Sequence, residues 1–171
     1  MIIWITGLSG SGKSTLAKFI ISNLSNKLKK RTIHLDGDEF REIFSDLGFT
    51  LKDRLKNAAR VSKIVNLLDK NLDALIIVSM LSISQKWLNW NRKYNKNYIQ
   101  IYLDTQIDIL KRRNVRGVYS NKKNIVGLDI KYNKPKKNNF EFKNTFKKNF
   151  LKNSYKKLNK IIQKYEESSV I

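Results

Sequence analysis

The stretch GLSGSGKS, Gly7 to Ser14, decides how the rest of the chain is read. It fits the pattern of a glycine, any four residues, a glycine, a lysine and a serine or threonine. It stands between an apolar, β-rich run, "IIWIT" (2–6), and a helical pattern through Leu16, Phe19, Ile20, Leu24 and Leu28. A strand, a glycine-rich loop and a helix in that order form the setting a phosphate cradle requires. The glycines let backbone N–H groups turn inward around phosphate oxygens, and the helix N-terminus adds favourable positive potential. Gly7, Ser9, Gly10, Ser11, Gly12, Lys13, Ser14 and Thr15 are the expected contacts. Lys13 is expected to reach the β- and γ-phosphates, and the Ser14 hydroxyl to ligate Mg²⁺. The implied ligand is a nucleoside triphosphate, but the loop alone does not say which reaction follows.

Outward from the loop, strands and helices alternate. "TIHL" (32–35) reads as a second strand, and Leu55, Ala58, Ala59, Ser62, Val65 and Leu68 repeat at helical spacing. "ALIIVSM" (74–80) reads as a strand buried on both faces, "QKWLNWNRKY" as helix, "YIQIYL" (98–103) as strand and 105–114 as helix. The alternation predicts an α/β, three-layer P-loop kinase fold, a parallel sheet flanked by helices. Residues 115–140 lack periodicity and read as a long functional loop, with a lid at about 115–135. An amphipathic final helix is expected over about 145–165, carried by Phe146, Phe150, Leu151, Tyr155, Leu158, Ile161, Ile162 and Tyr165. All 171 residues are read as one domain.

Hydrophobic residues make up 41% of the chain, which argues against wholesale disorder. With no cysteine, disulfides and thiolate metal sites are excluded. The N-terminus lacks the basic start and small-residue cleavage site of a signal peptide. No run approaches the roughly 18 apolar residues of a membrane span, so a cytoplasmic protein with no membrane partner is expected. The net charge is +21, and between Lys111 and Lys164 there are 18 Lys/Arg against two acids, Asp129 and Glu141. Such a field favours anionic partners. The lysines are scattered rather than set with aromatics on a reading element, however, so no specific nucleic-acid partner is expected. No N-K-x-D base reader of the GTPase type is present, and the length suits a small-molecule kinase.

The second strand ends in "IHLDGDEFR", with Asp36 and Asp38 around a glycine and Arg41 three residues on. Such acids can bind metal, act as a base, cap a helix or shape a turn, and nothing local chooses among these. His34, the sole histidine, is assigned to packing rather than to a metal.

Taken together, the chain resembles the adenylylsulfate (APS) kinases, which use ATP to phosphorylate the ribose 3′-hydroxyl of adenosine 5′-phosphosulfate. The matching residues are "ITGLSGSGKST", "LDGDEFR", "DLGFTLKDRLKNAAR" and "YLDTQIDILKRRNVRGVY", with weaker matches at "VGLD" and "YNKP", over roughly residues 2–135. The resemblance implies ATP and Mg²⁺ as cofactors, a small-molecule nucleotide acceptor and a homodimer. It gives Asp38 the orientation of the acceptor hydroxyl, places Asp36 near the Mg²⁺–phosphate assembly beside Ser14, and makes Lys13 the third catalytic group. It sets Arg41, Arg54 and Asn57, and more weakly Arg60, against the acceptor's 5′ anion, with Phe49 stacked on its base. It sets Arg113 over the donor nucleotide and Ser82 at the acceptor. Arg116 takes the place of the usual lysine before Gly-Leu-Tyr.

Three departures fall at the acceptor side. Ile125 replaces the second aromatic of the base clamp, the lid between "GVY" and "VGLD" is shortened, and Ile83 replaces a proline. An aromatic pair gains about 0.5–1.5 kcal/mol beyond burial, so a one-walled clamp binds purine less well. Two acceptors therefore stay open. One is a cytidine nucleotide such as cytidine diphosphoramidate, as in capsule-pathway relatives of APS kinase, and the other is APS itself.

Overall fold

A computed structural model describes residues 1–120 and 123–168. Five strands, β1 (Ile2–Gly7), β2 (Thr32–Asp36), β3 (Leu75–Ser79), β4 (Tyr98–Asp104) and β5 (Phe140–Lys143), form one parallel sheet in the order β2-β3-β1-β4-β5. Parallel strands are covered on both faces, which is why β1 and β3 are continuous apolar runs rather than alternating ones. Ile3, Ile5, Leu75 and Ile77 point to one face, packed by α1 (Lys13–Ser22) and α7 (Phe150–Ser168) through Leu16, Ile20, Leu158 and Ile162. Ile2, Trp4, Ile76 and Val78 point to the other, packed by α4 (Leu51–Asn71) and α5 (Gln85–Tyr94) through Val61, Val65 and Leu88. The expected three layers are there.

Some boundaries differ from the sequence reading. The run from Leu16 to Leu28 is two helices. Asn23 ends α1, and the Ser25 hydroxyl caps α2 (Asn26–Lys30) by accepting from Leu28 N–H at 3.1 Å. The final helix starts at Phe150, because Phe146 holds φ of 60° and cannot lie in a right-handed turn. Residues 115–140 are not structureless. They hold a 3₁₀ turn (Val115–Gly117), a bridge between Val126 and Ile130, and the first residue of β5. Leu8, Leu110 and Val126, with Ile83, Ile107, Tyr119 and Tyr132 against them, form a small third core that seats this segment beside the phosphate loop. Residues 121–122 of the expected lid, and the side chain of Arg116, lie outside the described residues.

Two short helices, α3 (Glu39–Ile43) and α6 (Ile107–Arg113), complete the frame. The loop after β1, the acidic turn after β2 and the end of β3 all open at the carboxyl edge of the sheet. Parallel α/β sheets bind their ligands at that edge.

Candidate active site

At that edge lies a pocket of about 1000 Å³. It is lined by Ser9, Gly10, Gly12, Lys13, Ser14 and Thr15 from the loop, by Asp36, Asp38 and Arg41 from the acidic turn, and by Phe49, Arg54, Asn57, Arg113 and Ile125. Most of the residues singled out in the sequence thus meet in one cavity.

The loop's shape depends on its glycines. Gly12 has φ of 94°, and a Cβ there would come within 3.0 Å of the Asn144 amide nitrogen. A Cβ on Gly7 would stand 2.7 Å from the Leu103 carbonyl oxygen, so backbone packing excludes any side chain. Gly7 and the fully buried Ser11 shape the cradle from behind rather than line the pocket. Lys13 Nζ donates to the Leu8 carbonyl at 2.8 Å. Burial pushes its ammonium down to about 8, while Asp38 and then Asp36 pull it back up.

Asp36 is held from several sides. Its Oδ2 accepts from Ser14 Oγ at 2.5 Å and from Ser79 Oγ at 2.8 Å, and its Oδ1 accepts from Asp38 N–H at 3.0 Å. Partial burial alone would raise its pKa, but these hydrogen bonds hold it below the usual carboxylate range. The last bond is an Asx turn, so Asp36 shapes the turn and also faces the loop serine. Asp38 stands at the N-cap of α3 without making a capping hydrogen bond. Its charge acts on Lys13, Arg41 and Arg54, which places it between the phosphate loop and the arginines.

Arg41 and Arg54 both lie against the Phe49 ring, their guanidinium carbons 5.0 and 5.7 Å from its centroid. Burial lowers Arg54 to about 10, and the Arg41 charge beside it pushes the same way. Arg54 rides on the first turn of α4, which a capping box starts. Asp53 N–H donates to Thr50 Oγ1, and Thr50 N–H donates to Asp53 Oδ2, both at 3.2 Å. Arg54 also donates to the carbonyls of Phe49 (3.0 Å) and Asn124 (3.1 Å), tying α4 to the 123–126 segment. Asn57, one turn on, is 1% exposed, and neither atom of its amide finds a partner among the described residues. A buried, unpaired amide is costly, and a ligand in the pocket would satisfy it.

Two residues fall elsewhere. The Ser82 hydroxyl is buried, accepts from the Trp4 indole N–H at 3.0 Å and does not line the main pocket. Arg60 forks onto Asp46 at 2.6 and 2.9 Å, an exposed ion pair. Other residues enter that the sequence did not suggest. Phe146, Lys147 and Lys148 line the pocket, and the Arg113 guanidinium lies 3.7 Å over the Phe146 ring. Asn144 donates to the Ser11 carbonyl at 2.8 Å and accepts from Phe146 N–H at 2.8 Å, joining this turn to the phosphate loop. Tyr119 O–H donates to the Ser9 carbonyl at 2.7 Å. Once β5 is recognised, Asn144 to Lys148 follow as its carboxyl-end loop, the place where a parallel sheet presents ligand contacts.

The family model of adenylylsulphate kinase matches residues 1–143. The chain belongs to the adenylylsulphate kinase family. It is 37% identical over 139 residues to the cytidine diphosphoramidate kinase of Campylobacter jejuni, covering 78% of this chain and 81% of that one. It is 38% identical over 148 residues to the adenylyl-sulfate kinase of Clostridium acetobutylicum, covering 80% and 70%. Among solved structures, the APS kinase of Mycobacterium tuberculosis in complex with AMPPNP and APS superposes with a TM-score of 0.81 at 26% identity, over 95% and 96% of the chains. This is an APS-kinase-like, P-loop nucleotide kinase, and its family uses ATP.

Proposed function

We propose that this kinase transfers the γ-phosphoryl group of ATP to the ribose 3′-hydroxyl of a nucleotide carrying an anionic 5′ substituent, the acceptor being a cytidine nucleotide such as cytidine diphosphoramidate. The observation that carries the anionic acceptor is the pair of guanidiniums on Phe49 beside the unpaired amide of Asn57. Two half-buried like charges on one ring favour an anion beside them, and Asp38, 4.0 Å from Arg41, supplies only part of it.

In this reading Asp38 accepts a hydrogen bond from the acceptor hydroxyl and aims its oxygen at the γ-phosphorus. As the new P–O bond forms, the bond to the β–γ bridging oxygen breaks, ADP carries the leaving charge, and the hydroxyl proton passes through Asp38 to water. The transition state is loose, so positioning matters more than basicity. Lys13 and the loop N–H groups hold the donor phosphates. Ser14 and Asp36 offer two hard oxygen donors, which fits Mg²⁺, an ion held by one or two protein oxygens with substrate phosphates. Bound there, Mg²⁺ would neutralise charge on the β- and γ-oxygens.

The cytidine reading is supported by Ile125, an aliphatic residue in the same pocket as Phe49 where the family resemblance implies a second aromatic, since a one-walled clamp suits a smaller ring. A second reading, a true APS kinase, is supported by the similar identity to the Clostridium enzyme. The deciding experiment offers Mg-ATP with APS, cytidine diphosphoramidate, AMP and CMP and locates the new phosphate by ³¹P NMR. Preferred turnover of the cytidine acceptor is expected. Preferred turnover of APS selects the second reading, and no turnover of any of the four defeats both. The homodimer implied by the family resemblance belongs to this reading, and sedimentation velocity at micromolar concentrations tests it.

A further inference from the structure

His34 is the one histidine of the chain, and no step above uses it. It lies on β2 with its Nε2 2.9 Å from the Ser79 hydroxyl oxygen at the end of β3. Ser79 is 1% exposed and donates to Asp36 Oδ2, the oxygen that also accepts from Ser14. A serine hydroxyl has one proton. With that proton on Asp36, Ser79 can only accept from His34, so the imidazole carries its hydrogen on Nε2. The bonds then run in one direction, from His34 to Ser79 to Asp36, and Ser14 donates into the same carboxylate oxygen.

The register makes this chain rigid, since Asp36 and Ser79 are direct partners on neighbouring strands. We propose that Ser79, backed by His34, is a positioning residue that fixes the Asp36 carboxylate so that Ser14 donates to it and turns its lone pairs toward the metal on the nucleotide phosphates. Without Ser79, Oδ2 would keep only the Ser14 bond and the carboxylate could rotate about the Asx-turn bond to Oδ1. Without the His34 donor, the Ser79 hydroxyl would be free to turn its proton elsewhere. Groups that orient metal ligands in this way are typically worth about 10–100-fold in metal affinity. The inference rests on the nucleotide-kinase reading of the site but not on which acceptor it takes.

The test measures metal rather than turnover. Mn²⁺ is titrated into the protein–AMPPNP complex and free Mn²⁺ is followed by electron paramagnetic resonance, with AMPPNP binding in EDTA as the control. Ser79→Ala should weaken Mn²⁺ binding by about tenfold, leaving AMPPNP binding in EDTA unchanged, and Ser79→Thr should restore it. His34→Phe should weaken Mn²⁺ binding. His34→Gln, whose amide N–H can reach the position of Nε2, should recover most of the loss. Unchanged Mn²⁺ affinity in Ser79→Ala overturns the proposal, as does an equal loss of AMPPNP binding in EDTA, which would mark a structural effect. Equal losses in His34→Phe and His34→Gln overturn the part given to His34. A wild-type protein that binds no AMPPNP at all would overturn the kinase reading and this inference with it.

Discussion

At the scale of single residues, Lys13 and Asp38 make the sharpest demands. Burial lowers the Lys13 ammonium to about 8, so the charged form dominates below that pH and is lost progressively above it. Binding a triphosphate requires the charge. Nucleotide affinity should therefore hold between pH 6 and 7.5 and weaken above about 8, approaching tenfold per pH unit, with a proton taken up on binding. Calorimetric titrations in EDTA, in buffers of different ionisation enthalpy, measure both, and Lys13→Met should bind weakly with no such dependence. For Asp38, substitution removes no capping bond of α3, though it does remove the 4.0 Å ion pair with Arg41. Asp38→Ala should lower kcat by about 10²–10⁴ while ATP binding, measured near pH 6 where Lys13 stays charged without it, is preserved, and full activity would remove Asp38 from the mechanism. Sequence placed both residues because a loop pattern and an acidic pair fix backbone positions. For Ser82 a matched position says nothing of where the hydroxyl points, and the Trp4 indole donates to it outside the main pocket.

At the scale of elements, the readable parts were those with a strong period. β1, β3 and β4 are long apolar runs, and α4 and α7 keep one buried face for many turns. β5 escaped because it is a four-residue edge strand among asparagines and lysines, with only Phe142 buried. Its period-two F-E-F-K pattern was the one available signal. Missing β5 also hid Asn144 to Lys148, since their place at the site follows from the strand before them. α4 shows how an element carries function. Its capping box is built from Thr50 and Asp53, and Arg54 and Asn57 stand on the turns it starts. Thr50→Ala should cost about 1 kcal/mol, a fall of roughly 2–4 °C in Tm. Because Arg54 and Asn57, which we propose meet the acceptor's anion, stand on these turns, acceptor KM should rise while ATP KM stays constant. A thermal scan and initial rates with each substrate varied in turn check both halves.

At the scale of the whole molecule, the open matter is the charge of +21. The fold gives it a direction. Lys147 and Lys148 line the pocket, and Lys152, Lys156, Lys160 and Lys164 continue from them on exposed positions of α7. Such a stripe beside the pocket of a nucleotide kinase would concentrate anionic nucleotides by long-range attraction, an effect on encounter rate rather than on bound contacts. At physiological salt the screening length is about 8 Å, short against a helix of 19 residues, so only its near end should act there. The expected result is a kcat/KM for the nucleotide acceptor that falls steadily between 20 and 300 mM KCl while kcat stays flat. Replacing Lys152, Lys156 and Lys160 together with glutamine should flatten that slope without lowering kcat. A basic surface built to hold nucleic acid predicts the opposite pattern, with tight duplex or single-strand binding that survives 150 mM salt with a steep log–log slope. Scattered lysines without interleaved aromatics predict weak binding that vanishes there, and one salt series of each kind separates steering from recognition.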